Sequence, residues 1–124
     1  MLKLLYISLA GMCGTLARYA ITNVIQKNFM SDFPWGTVVV NIIGCLFFGI
    51  FWAIINNRLT INSELRLIIL VGFMGAFTTF STFVFETYNL YMANKYLLAS
   101  FNFIGQNILG LVALIVGISI GRLI

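Results

Sequence analysis

The chain has 124 residues, of which 61% are hydrophobic and 8% are charged, and its formal net charge is +4 at pH 7. A soluble domain carries about 25% charged residues, so this composition excludes an ordinary water-exposed surface. The basic residues are scattered and no two are adjacent, which excludes a basic patch for nucleic acid. We therefore expect an all-α membrane protein with a single transmembrane domain over residues 1–124, in contact with a lipid bilayer.

Four apolar stretches are long enough to cross a bilayer, which takes about 20 residues in a helix. In chain order they cover residues 4–25, 34–55, 65–90 and 97–120, and short polar connections join them. Pro34 stands at the start of the second stretch, which is its favoured place in a helix. The pattern predicts four transmembrane helices with both termini on one side of the membrane.

The first two stretches each contain one polar residue whose role has two interpretations. Arg18, late in the first stretch, either attracts anions at a vestibule or reaches the lipid headgroups. Asn41, in the middle of the second stretch, either forms a hydrogen bond between helices or donates an N–H to an anion.

A polar segment with two glycines interrupts the third stretch between Gly72 and Phe83. Glycine and clustered Thr and Ser weaken a helix, and non-helical backbone at membrane depth persists only where protein or a water-filled cavity satisfies it. We therefore predict a break in the third helix. Carbonyl oxygens freed there suit a small hard cation such as Na⁺.

Phenylalanine recurs every third residue in this segment, at Phe77, Phe80 and Phe83, which predicts one shared helical face. An aromatic ring has a positive edge that attracts a small anion, and hydroxyl groups can donate hydrogen bonds to the same anion. The hydroxyl residues interleaved with the rings are Thr79, Ser81 and Thr82. The combination favours a weak, multi-site anion path over rings that only pack or face lipid.

Further polar residues follow this segment. Glu86, one turn after Phe83, either pairs with a base, takes a proton or helps to set the local field. Asn102 and Gln106 share a face early in the fourth stretch, where they either continue a polar path or bind a neighbouring helix.

The basic residues are almost evenly divided between the two sides of a four-helix chain. Lys3, Arg58, Arg66 and Arg122 fall on the side of the termini, and Lys27, Lys95 and Arg18 fall on the other. A clear excess of Lys and Arg on one side is what fixes orientation. The balance favours insertion in both orientations and an antiparallel assembly, and the alternative is a weak bias towards one orientation. Four helices alone do not easily enclose a hydrophilic path, which also favours a second copy.

Three motifs make the chain resemble the CrcB/Fluc family of small fluoride channels, and the resemblance covers nearly the whole sequence. The motifs are Gly11-x-x-Gly14-x-x-x-Arg18-Tyr19, Pro34-x-Gly36-Thr37-x-x-x-Asn41 and Gly72-x-x-Gly75-x-x-Thr78-Thr79-Phe80-Ser81-Thr82-Phe83-x-x-Glu86. The third motif is the most specific of them. The resemblance implies a passive, fluoride-selective channel that exports F⁻ and lowers cytoplasmic fluoride. It also implies an antiparallel homodimer with two pores, and we expect a bacterial cytoplasmic membrane as its location.

The resemblance also implies roles for individual residues. Phe80 and Phe83 would line the pore with their ring edges, and Asn41 would coordinate fluoride. The hydroxyl-rich stretch of the family is matched by Thr79, Ser81 and Thr82. Backbone carbonyls of Gly75 and Thr78 match a structural Na⁺ site on the dimer axis. One departure is in the fourth helix, where the family often places hydroxyl residues and this chain has Asn107 and Leu111.

Two other functions compete with a channel. A proton-coupled exporter resembling the small multidrug transporters needs a carboxylate in the first helix, and because none is present Glu86 would have to substitute. A membrane scaffold that transports nothing explains the glycines but not the cluster of Thr, Ser and Phe. An enzyme is not expected, because the chain has no His, no nucleophile beside a base and no phosphate-binding loop.

Overall fold

The computed structural model describes residues 2–57 and 63–124, which form helices and no strand. Helix α1 is Leu2–Phe29 and α2 is Trp35–Asn57. The third span, Ser63–Met92, consists of α3, residues 63–77, and α4, Phe80–Met92. Helix α5 is Tyr96–Leu123. Within these described ranges, four helical spans are long and apolar enough to cross a membrane, which confirms the prediction of an all-α, multi-pass membrane protein.

Three of the four spans extend past both of their predicted ends, because the helices continue into polar residues that an apolar run excludes. An ion pair between Lys95 and Asp32 joins the α4–α5 connection to the α1–α2 connection. These two connections therefore lie at the same end of the bundle, as a four-span topology requires. Arg58, which the charge balance includes, lies outside the described residues.

Helices α2 and α5 pack backbone against backbone. A Cβ atom on Gly49 would overlap the Leu114 carbonyl oxygen, and one on Gly117 would overlap the Leu46 carbonyl oxygen. In lipid, helices associate largely by close packing of small residues, so these contacts stabilise the pair. The glycine seam, as we call it, consists of Gly49, Gly117 and Gly121. Gly117 and Gly121 form a GxxxG pair, a spacing typical of tight contact between membrane helices.

Helix α3 lies against α1 through small residues as well. A Cβ on Gly72 would lie 3.0 Å from the Ala10 Cβ and 3.1 Å from the Ile7 carbonyl oxygen. Among the described residues no glycine has a positive φ, so Gly72 and Gly75 remain helical. Residues Ile68–Met74 form wider, π-helical turns. Gly72 therefore serves close packing and does not break the helix.

Candidate ion pathway

The third span is broken at Thr78 and Thr79, inside the segment where the sequence predicts an interruption. Thr78 has φ −88° and ψ 161°, and Thr79 has φ −147° and ψ 119°, so both residues are extended. The Thr78 N–H and hydroxyl each donate to the Met74 carbonyl oxygen at 3.2 Å, which completes the end of α3. The predicted break is confirmed, and it falls on two β-branched residues, which fit extended backbone better than helix.

The break places the end of one helix beside the start of another. Helix α3 presents its negative C-terminal end, and the Arg18 Nε donates to the Ala76 carbonyl oxygen there at 3.1 Å. Helix α4 presents its positive N-terminal end, where the Thr82 N–H donates to the Thr79 hydroxyl oxygen at 3.4 Å. One side of the break therefore favours cations and the other favours anions.

Asn41 on α2 supplies hydrogen bonds that the broken backbone lacks. Its Oδ1 accepts from the Thr79 N–H at 2.9 Å, and its Nδ2 donates to the Thr79 carbonyl oxygen at 3.1 Å. The same Nδ2 donates to Oε1 of Gln106 on α5 at 2.9 Å. Both amide hydrogens of Asn41 are engaged within the chain, so an anion that accepts from Asn41 has to displace one of these partners.

Two amides on α5 continue this network to α4. Gln106 Nε2 donates to Asn102 Oδ1 at 2.7 Å, and Asn102 Nδ2 donates to the Thr87 hydroxyl at 2.7 Å. The Thr87 hydroxyl donates to the Phe83 carbonyl oxygen at 2.8 Å. We call Asn41, Gln106, Asn102 and Thr87 the amide chain. The interpretation that Asn102 and Gln106 bind neighbouring helices is confirmed. Thr87 was not anticipated, and its one sequence signal is its place a turn after Phe83.

A cavity of about 210 Å³ opens at the break, and we call it the break cavity. Its lining residues are Asn41, Cys45, Thr78, Thr79, Phe80, Phe83, Gln106 and Asn107. The ring centroids of Phe80 and Phe83 are 5.7 Å apart. Phe80 is 75% exposed, whereas Phe83 is 4% exposed and stacks on Phe103 at 5.9 Å. The wall thus combines aromatic rings, hydroxyls and amides, as the anion-path interpretation requires.

Phe77 lies on the other side of the break. It is buried with Val40 and Met74, and its ring stacks on Phe73 with centroids 5.9 Å apart. The prediction that Phe77 shares a helical face with Phe80 and Phe83 is wrong, because two extended residues end the helical periodicity between them.

Two of the predicted pathway residues, Ser81 and Thr82, are not among the lining residues of the break cavity. Ser81 is exposed and Thr82 is half-buried in the first turn of α4, and the Thr82 hydroxyl accepts from the Thr79 hydroxyl at 3.0 Å. In the fourth helix, Asn107 lines the cavity. Leu111 is 60% exposed and is not among the lining residues. Cys45, one turn after Asn41 on α2, also lines the cavity and was not anticipated from the sequence.

Glu86 borders a second cavity of about 360 Å³, which also touches Asp32 and Lys95. The Thr37 hydroxyl donates to Glu86 Oε1 at 2.7 Å. The other oxygen, Oε2, is buried and has no hydrogen-bond partner within residues 2–57 and 63–124. In this part of the chain the contact of Glu86 is therefore a hydroxyl group and not a base.

Gly75 and Thr78, whose carbonyls are predicted to hold Na⁺, lie in the last turn of α3 and at the break. Gly75 is exposed and Thr78 is half-buried. The described ranges contain no group of three or more His, Cys, Asp or Glu that could hold a metal ion. A cation at this place would therefore depend on backbone oxygens, which suit a hard ion at the negative end of a helix.

Comparison with known proteins identifies close relatives over the full chain. A family model described as CrcB-like protein, Camphor Resistance (CrcB), matches residues 5–118. A protein of Nitrosococcus oceani is 51% identical over 98% of this chain and 98% of its own length. One of Maridesulfovibrio salexigens is 48% identical over 98% and 97%, and one of Nitratidesulfovibrio vulgaris, strain Miyazaki F, is 44% identical over 100% of both chains. Each of the three is named fluoride-specific ion channel FluC.

Proposed function

Because the chain belongs to the CrcB-like family, we propose that it is a fluoride-selective ion channel that lets F⁻ leave the cell passively and so lowers cytoplasmic fluoride. The shared name of relatives that match nearly end to end supports the substrate. A channel moves its ion without changing a covalent bond, so the chain is not an enzyme. Neither the family model nor the relatives support the alternative of a proton-coupled exporter.

The observation that carries the proposal is the break cavity. Fluoride is small and strongly hydrated, so a selective path has to offer close replacements for its water. Phe80 and Phe83 offer two rings, Asn41 offers an amide, and the N-terminal end of α4 offers a positive dipole. None of these groups carries a full positive charge, so the ion is held weakly enough to move on.

We further propose that two copies assemble as an antiparallel homodimer with two pores. The near-even division of basic residues supports insertion in both orientations. The exposed ring of Phe80 and the open break cavity support a partner surface at the pathway, since one chain of four spans leaves them uncovered. An intact third-helix motif in this chain favours two equal copies over an unequal pair.

The proposed dimer would also contain a binding site for Na⁺. Gly75 is exposed on the chain surface beside the C-terminal end of α3, so two copies can bring their Gly75 and Thr78 carbonyls together. The residues fit a structural cation held by backbone oxygens. When bound, the ion supplies a fixed positive charge at the dimer axis. We place the protein in the bacterial cytoplasmic membrane, with Arg18 and Glu86 acting on the field of the vestibules.

The proposed function predicts electrogenic F⁻ efflux from liposomes that contain the purified protein. With valinomycin and K⁺ to balance charge, a fluoride electrode should record rapid release, whereas Cl⁻ should pass far more slowly. Efflux should also proceed without a pH gradient, which separates a channel from a proton-coupled exporter. Equal F⁻ and Cl⁻ fluxes, or no flux of either ion, would exclude a fluoride-selective channel.

Phe80→Ile should reduce F⁻ efflux sharply, because the replacement removes the aromatic ring from the break cavity and keeps an apolar side chain. The matched control is Phe85→Ile, since Phe85 lies on the same helix, is 62% exposed and is not a lining residue of that cavity. Efflux from the control should match the unmodified protein. An unchanged rate in Phe80→Ile would remove this ring from the pathway.

A further inference from the structure

We propose that Asn102 is a positioning residue for fluoride conduction, which holds Asn41 in place through Gln106 and holds the Phe83 segment of α4 in place through Thr87. The inference rests on the proposed fluoride channel and assigns a role to a residue outside its pathway. Asn102 is 0% exposed and is not among the residues that line the break cavity. It therefore cannot touch an ion in that cavity, and any effect on conduction has to pass through its neighbours.

The amide chain links the break at Thr79 to Thr87 on α4. From the backbone of Thr79 it passes to Asn41 on α2, to Gln106 and Asn102 on α5, and reaches α4 at Thr87. The part of α4 between these two ends carries Phe80 and Phe83. Both ends of the ring-bearing segment are thus tied to the α2–α5 pair, whose backbones are in direct contact at the glycine seam.

The directions of the hydrogen bonds explain why Asn102 determines the arrangement of the amide chain. Its Oδ1 is the acceptor for Gln106 Nε2, and this bond holds the Gln106 side chain so that Oε1 faces Asn41. An apolar residue at position 102 would leave a buried Gln106 amide without this acceptor, and an unpaired buried amide rearranges to find another partner. Asn41 would then lose one of the bonds that fix its orientation at the break.

A separate feature of α5 marks the same place. The turns Phe101–Gly105 are π-helical, and they contain Asn102 and end directly before Gln106. Single π-helical turns occur frequently at functional sites, because the wider turn changes which side chains face a neighbouring helix. Here Asn102, inside these turns, and Gln106, directly after them, both form hydrogen bonds with other helices.

The test compares F⁻ and Cl⁻ fluxes in Asn102→Leu. Loss of stability lowers the number of active channels and reduces both fluxes by the same factor, so it leaves their ratio unchanged. A displaced Asn41 and Phe83 instead changes the ratio, because selectivity depends on the position of the groups that replace water. We expect F⁻ efflux to fall about tenfold and the F⁻/Cl⁻ ratio to fall with it, in the range of couplings between contacting residues.

Two more variants complete the experiment. Ser119→Val is the matched control, because Ser119 is an exposed residue of α5 whose hydroxyl donates to the Ile115 carbonyl oxygen of its own helix. Its ratio should equal that of the unmodified protein. In Thr87→Val the new side chain has nearly the same shape as threonine, but the last hydrogen bond of the amide chain is lost. A smaller fall in the F⁻/Cl⁻ ratio is therefore expected. If Asn102→Leu does not fold, Thr87→Val decides the question.

The outcomes separate this inference from the proposed function. An unmodified protein that passes no F⁻ would overturn the channel itself. An unmodified protein that passes F⁻, together with an unchanged F⁻/Cl⁻ ratio in Asn102→Leu or, failing that, in Thr87→Val, would overturn the positioning role alone. A lowered ratio in these variants and an unchanged ratio in Ser119→Val would establish it.

Discussion

Asn41→Leu is expected to abolish F⁻ efflux. The replacement removes the acceptor for the Thr79 N–H and the donor to both the Thr79 carbonyl and Gln106 Oε1. A buried polar group left without a partner costs about 1–3 kcal/mol, which applies to Gln106, and the part-buried Thr79 groups add a smaller cost. The variant should therefore lose the extended backbone conformation at the break as well as the Asn41 amide.

Asn41→Asp separates the structural part of this effect from the ionic part. An aspartate keeps the acceptor for the Thr79 N–H but donates to neither of the other two groups. We expect it to purify as folded protein more readily than Asn41→Leu and still to conduct no F⁻, because its negative charge repels the anion. Efflux at the level of the unmodified protein in a folded Asn41→Asp variant would show that this amide does not meet the ion.

Gly117→Ala is expected to destabilise the bundle by about 3 kcal/mol, at the upper end of the usual cost of overpacking. The added Cβ would overlap the Leu46 carbonyl oxygen and would lie 3.2 Å from the Ile50 backbone nitrogen. Backbone atoms cannot rotate away as the end of a flexible side chain can, so α2 and α5 have to separate. The thermal midpoint of the purified protein in detergent should fall clearly, with a lower yield of folded protein.

The control for this change is Gly105→Ala, which makes the same replacement on the same helix. A Cβ at Gly105 would meet nothing within 4 Å. Alanine is also the better helix former, by about 1 kcal/mol, so the control should be neutral or slightly stabilising. Similar midpoints for the two variants would show that the α2–α5 contact at Gly117 is less close than the structure has it.

The four spans and the break in the third could be predicted from the sequence, because both depend on local composition. A membrane span needs only a long apolar run, and the cluster of threonines in residues 78–82 interrupts such a run wherever the chain folds. The role of Gly72 was misjudged for the same reason. A glycine can weaken a helix or allow another helix to approach closely, and which of these applies depends on the residue that packs against it. For Gly72 that residue is Ala10 on α1, which local composition cannot identify.

The partners of Asn41 could not be predicted, because they are set by packing between distant parts of the chain. Gln106 is 65 residues away from Asn41, and no spacing rule connects them. The structure confirms the hydrogen bond between helices that was one interpretation of Asn41, whereas donation to an anion stays a prediction. The side chain bridges helices through both of its hydrogens, and it lines the break cavity at the same time.

The glycine seam has a consequence for how this protein tolerates mutation. Every replacement of glycine adds at least a Cβ, so a library of all single substitutions should find almost no accepted residue at Gly49, Gly117 and Gly121. Exposed positions of α5, such as Ile108 and Val112, should accept many apolar residues. The least variable positions of this bundle would then be those without a side chain, whereas in a water-soluble core they are commonly the largest side chains.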